Sequence, residues 1–137
     1  MFIILVIWTL LALCSFYSAA FGGATGRIGA ALTIGATIAT YFAQEFGPWT
    51  QTHVPVMIID LMLLVAFYIL ALKSRVYWPI WAAGFHLITV AVHGATMMVP
   101  DFRSTLYYYV NGMWAIFVQM AMVWGITLDR FFQTPER

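Results

Sequence analysis

The chain has 137 residues, of which 64% are hydrophobic and only 8% charged, with a net charge of +1. A water-soluble domain carries about 25% charged residues, so this composition excludes a soluble globular protein, and the near-neutral charge gives no basis for nucleic-acid binding. Cys14 is the single cysteine, which excludes an internal disulfide.

A helix crossing the hydrocarbon core of a bilayer needs about 20 mostly apolar residues. Five stretches meet that length in chain order: 2–21, 28–46, 54–72, 77–99 and 105–128. The expected fold is all-α, a single-domain integral membrane bundle of five transmembrane helices. The first stretch ends in Ser18-Ala19-Ala20, which looks like a signal-peptidase site. No basic segment precedes Phe2, so the stretch is read as a retained helix. Gly22-Gly23-Ala24-Thr25-Gly26 is expected to be a flexible link, and Gly47-Pro48-Trp49 a stop. Lys73-Ser74-Arg75 is a tight hairpin, and Pro79 falls in the first turn of the fourth helix, where proline is tolerated.

The charges suggest an orientation. Arg27, Lys73, Arg75, Arg130 and Arg137 fall on one side of a five-span chain and only Arg103 on the other. Basic residues concentrate on the cytoplasmic side, so the N-terminus is expected outside and the C-terminus in the cytoplasm. Trp49, Tyr77, Trp78, Tyr107, Tyr108 and Trp124 lie near span ends and read as interfacial anchors.

Helix two is built from small residues. Gly29, Thr33 and Thr37 form one stripe; Ala31, Gly35 and Ala39 form another. Small residues spaced by four let backbones approach closely in lipid. Helix two is therefore expected at the centre of the bundle, or, through Gly29, Thr33, Gly35 and Ala39, at a self-association interface.

Ionisable residues inside a span are costly and turn toward protein or water. Asp60, His86 and His93 are of this kind. With the hairpin centred near Ser74, Asp60 lies level with about residue 89, within about 6 Å in height of each histidine. The histidines are seven residues apart and share a helix face. Asn111, Thr9, Thr40 and Gln44 reach similar depths on the other helices, and His53 sits above Asp60. Together they predict a polar layer in the outer half of the membrane. Below the middle, Thr33, Gln119 and Ser15 are the remaining polar candidates.

Three readings of this layer stand side by side. It is a closed polar network stapling the helices. It is a metal or tetrapyrrole site with His86, His93 and Asp60 as candidate ligands, since imidazole binds haem iron, zinc, copper and chlorophyll magnesium. Ala82, four residues before His86, would then leave room for a macrocycle, as Thr89 would before His93; but both histidines share one helix, which argues against one haem held by both. Or it is a relay for protons or a small solute. No phosphate loop, HExxH, CxxC or nucleophile elbow is present in the sequence, so no catalytic residue is assigned.

The segments Asp60-Leu61-Met62-Leu63-Leu64, Ala71-Leu72-Lys73-Ser74 and Trp78-Pro79-Ile80-Trp81-Ala82-Ala83-Gly84-Phe85-His86 resemble a family of small multi-pass proteins of alphaproteobacteria, especially sphingomonad-like genomes. The resemblance covers the middle third to half of the chain. It implies a bacterial inner membrane and assigns no activity and no functional residue. The expected function is that of a small non-enzymatic membrane protein, an accessory or scaffold subunit or a homo-oligomer, with bound lipids and other membrane subunits as partners. The alternative is a cofactor-binding or conducting protein centred on Asp60, His86 and His93.

Overall fold

The computed structural model describes residues 2–43, 54–98 and 104–132, with side chains for 6–43, 54–98 and 113–132. These form five helices: α1 (Phe2–Phe21), α2 (Gly23–Ala43), α3 (Val54–Lys73), α4 (Trp78–Met98) and α5 (Ser104–Phe132). Among the described residues there is no strand. Three segments are long and apolar enough to cross a membrane: α3, α4 and Met113–Phe132 of α5. Val6–Phe21 of α1 is apolar but shorter. α2 has the length but not the apolarity, because glycine, alanine and threonine dominate it and Arg27 lies near its start.

Each helix packs along the next in sequence, and α1 closes on α5. The result is a ring of five, with α2 touching α5 lightly across the interior. The expectation that α2 is the central helix is not met. α4 turns the most side chains inward: Trp78, Pro79, Ala82, Ala83, His86, Thr89 and His93 are all buried. These follow a 4-4-3-4 spacing from Trp78 to His93, which holds one face of a helix toward its neighbours. On α2 only one small-residue stripe is used this way. Gly29 and Thr33 are buried, whereas Ala31, Gly35 and Ala39 are exposed.

The link from α1 to α2 is not the flexible segment expected. Gly22 alone separates the helices, and α2 already begins at Gly23. Gly23 has φ +60°, a left-handed conformation open to glycine at little cost. The Gly22 amide still donates to Ser18 O (2.9 Å), completing α1, and the Gly26 amide donates to Gly22 O (2.8 Å), opening α2. A Cβ on Gly26 would collide with the Ser18 carbonyl. Glycine here therefore sets a close crossing of two helices. At the far end of α3, the Ser74 amide donates to Leu70 O (2.9 Å) and residues 74–77 form the hairpin. Pro79 follows as the second residue of α4, where its missing N–H is not needed. α5 runs past the expected residue 128 to Phe132, so Asp129 and Arg130 are helical. The Arg130 guanidinium lies 4.4 Å above the Phe21 ring and ties the ends of α5 and α1 together.

The interior is built around Trp78. It belongs to a buried cluster with Leu63, Phe67, Leu70, Ala82, Ala83, Val118, Met122 and Ile126. With 2% exposure it is not an interfacial anchor, contrary to the expectation for a tryptophan near a span end. Its indole fits between two glycines: a Cβ on Gly29 of α2 would lie 2.5 Å from Trp78 Cη2, and one on Gly125 of α5 would strike Trp78 Cβ. Phe67 of α3 meets it edge-on at 6.2 Å. One side chain of α4 thus joins α2, α3 and α5. Tyr77 and Trp124 remain exposed, as anchors would be; Trp49 lies outside the described residues, as do the side chains of Tyr107 and Tyr108.

Trp78→Ala should cost about 3–5 kcal/mol of stability, the range for deleting a large buried aromatic. Gly125→Ala should also destabilise, because its added Cβ would strike Trp78 Cβ, which is fixed to the α4 backbone and cannot swing away. Gly35→Ala, with nothing within 4 Å of its added Cβ, should be neutral. Thermal unfolding of the three variants in detergent micelles checks the order.

Candidate functional site

An aspartate in the middle of an apolar helix must find a partner in the protein, because hydrocarbon offers none. Asp60 finds it on the neighbouring helix. His93 Nε2 lies 2.9 Å from Asp60 Oδ2. An ionised carboxylate could only accept here, with the imidazole N–H as donor. The second oxygen, Oδ1, is turned to the other histidine, 3.9 Å from His86 Nδ1. That is beyond hydrogen-bond length. The carboxylate therefore bonds one imidazole and faces a second.

Burial is deep but graded. The His93 side chain is 0% exposed, that of His86 7% and that of Asp60 14%. His86 stacks face to face on Phe67, centroids 5.4 Å apart with planes 11° from parallel. The stack fixes the plane of the imidazole while leaving its edges for polar partners. Neither ring nitrogen of His86 has a hydrogen-bond partner among the described residues. His93 is placed by its bond to Asp60 and by close packing. The backbone carbonyl of His93 accepts from Thr96 Oγ1 at 2.9 Å.

The hairpin brings these residues together with an offset from expectation. Asp60 lies level with His93 and Phe67 with His86, rather than Asp60 with residue 89. The link is residues 74–77, not three residues centred on Ser74, and this moves the register toward His93. Asp60 accordingly pairs with the upper histidine and reaches down to the lower one.

The other expected members divide. Thr40 is half-buried on α2, and Thr9 is exposed on α1. Asn111 belongs to α5, but its side chain lies outside the described residues, as do Gln44 and His53 altogether. Thr33, Ser15 and Gln119, the polar candidates below the middle, are all buried, and Ser18 joins them. Ser18 has no signal of its own in the sequence; its burial follows from the close crossing of α1 and α2 beside it. The stacking partner Phe67 also goes unread in sequence, since one phenylalanine among many apolar residues carries no mark.

Among the described residues, no group of three or more His, Cys, Asp or Glu side chains is disposed to hold a metal ion. The position one turn before His86 is occupied: Ala82 is fully buried in the core cluster, and Thr89, one turn before His93, is buried too. Among the described residues, the small side chains of α4 one turn before each imidazole are therefore packed against neighbours.

Chemically, the arrangement is a carboxylate shared by two imidazoles across two helices. It joins α3 to α4 and holds groups that bind and release protons. No family model, no curated protein and no solved structure matches the chain.

Removing one member of a buried pair costs about 3–5 kcal/mol, while replacing both by apolar groups is often close to neutral. His93→Leu should therefore destabilise the protein by a few kcal/mol, and Asp60→Leu/His93→Leu should recover much of that loss. Unfolding of the single and double variants in bicelles measures the coupling; strict additivity would contradict the pairing.

Proposed function

We propose that this chain is a five-span, non-enzymatic protein of a bacterial inner membrane, N-terminus outside and C-terminus inside, that works by lateral association in the bilayer. Alternation of the five helices puts Arg27, Lys73, Arg75 and Arg130 at one end of the bundle, which supports that orientation. α1 and α2 complete the set of spans because they pack as a hairpin against the three apolar helices.

The observation that carries the reading is a groove between α2 and α3. It has a volume of about 320 Å³ and is lined by Ala31, Gly35 and Ala39 on one wall and Ile59, Met62 and Ala66 on the other. Gly29 and Thr33 face the core, so of the small residues of α2 it is Ala31, Gly35 and Ala39 that remain for lateral contact. Hydrocarbon chains are as apolar as leucine and do not drive helices together. A shallow wall of small residues changes that balance, because it lets another helix approach close enough for extensive van der Waals contact. A second copy of the chain is the first partner to test, and another membrane subunit the next.

Energy transfer between donor- and acceptor-labelled chains in liposomes tests this. Wild-type chains should associate at low lipid dilution, and Gly35→Leu, which fills the groove without touching the core, should weaken association at least tenfold. Equal association of variant and wild type would remove the groove from the interface.

A further inference from the structure

Hydroxyl groups in membrane helices ordinarily return their proton to a carbonyl of the preceding turn. Thr33, Thr37, Thr89 and Thr127 do so, to Gly29 O, Thr33 O, Phe85 O and Val123 O. Ser15 and Ser18 do not. Both are buried, at 1% and 0% exposure, and neither hydroxyl has a partner among the described residues. Gln119 is 7% exposed, and its Oε1 is likewise unpartnered. With the two ring nitrogens of His86, the interior of one protomer holds unpartnered polar atoms on α1, α4 and α5. Each would cost free energy in a dry interior.

Their heights can be read from contacts between helices. Trp78 meets Gly29 and Gly125, which sets one level on α2, α4 and α5. Tyr17 Oη bonds Thr127 Oγ1 at 2.8 Å, which places Ser15 at the same level on α1. At about 1.5 Å per residue, Thr33 lies about 6 Å above this level, Gln119 about 9 Å and His86 about 12 Å. Ser18 lies about 4–5 Å below it. Asp60 continues the series above His86, through the 3.9 Å approach of its Oδ1. The largest difference in height between successive groups below His86 is about 6 Å.

We propose that Asp60, His86, Gln119, Thr33, Ser15 and Ser18 line a file of internal waters within a single protomer, and that the file carries protons between the Asp60 layer and the Arg130 end of the bundle. Buried waters typically make about three hydrogen bonds to groups that otherwise lack partners; Ser15, Ser18, Gln119 and His86 present such groups, while Thr33, already bonded to its own helix, and Asp60, bonded to His93, have only acceptor capacity to spare. Asp60, His86 and His93 supply the sites that take up and release the proton. The hydroxyls and the amide below them orient waters without themselves ionising. The proposal is independent of lateral association, since all six residues belong to one chain.

Proton flux into liposomes, driven by a potassium gradient with valinomycin, tests it at a lipid dilution where chains are single. Wild-type protein should conduct well above the leak of empty liposomes, with a flux per chain that does not change on further dilution. Gln119→Leu/Ser15→Ala and, separately, Asp60→Asn should each reduce it at least tenfold. Transfer of water magnetisation to the His86 ring nitrogens in solid-state NMR should be strong in wild type and fall in Gln119→Leu/Ser15→Ala. Wild-type flux at the leak level, flux that vanishes on dilution, or a dry His86 in the folded wild-type protein would each overturn the file.

Discussion

The contact between Asp60 and His93 is the constraint from which the rest of this structure follows. A carboxylate on α3 has no other described partner within hydrogen-bond reach in the helix bundle, and the medium around a transmembrane segment supplies none. It must be placed against α4, which sets the rotation of both helices about their axes. Once His93 is turned to Asp60, the seven-residue spacing turns His86 inward as well. The same face then carries Ala82 and Trp78 into the interior. A polar requirement at one end of the hairpin thus agrees with an apolar one at the other.

Trp78 shows how the apolar side is met. Packing in lipid gains little from apolarity itself and depends on contact area. A tryptophan seated between Gly29 and Gly125 supplies that area to three helices at once. The small residues of α2 then have two separate roles. Gly29 and Thr33 accept the core, while Ala31, Gly35 and Ala39 form the wall of an outward groove. Stability and the proposed lateral association would therefore draw on different residues of the same helix.

Much of this was legible in the sequence because the bilayer imposes lengths. The apolar stretches mark all five helices, and α1, α3 and α4 are bounded to within about one residue. Counting depth from the hairpin brings Asp60 to the histidines. What it misses is the register: residue 77 reads as helix but belongs to the link, and Asp60 meets His93 rather than lying level with 89. Trp78 was misread because a tryptophan near a span end looks the same whether it anchors at the interface or wedges into the core. The deciding partners, Gly29 and Gly125, lie far away in sequence and only the fold brings them to it. The link at Gly22 to Gly26 was misread for a related reason. Glycine signals a flexible turn and a tight helix crossing alike, and the nearby Ser18 carbonyl decides between them.

The central claim is that Asp60 is shared across the α3–α4 interface by two imidazoles, bonding His93 and facing His86. Dipolar recoupling between the Asp60 carboxyl carbon and the imidazole nitrogens, with protein in lipid bilayers, measures this directly. The account predicts a strong coupling to His93 Nε2 and a weaker one to His86 Nδ1, both present in the same sample. Coupling to neither nitrogen, or to His86 alone, would contradict it.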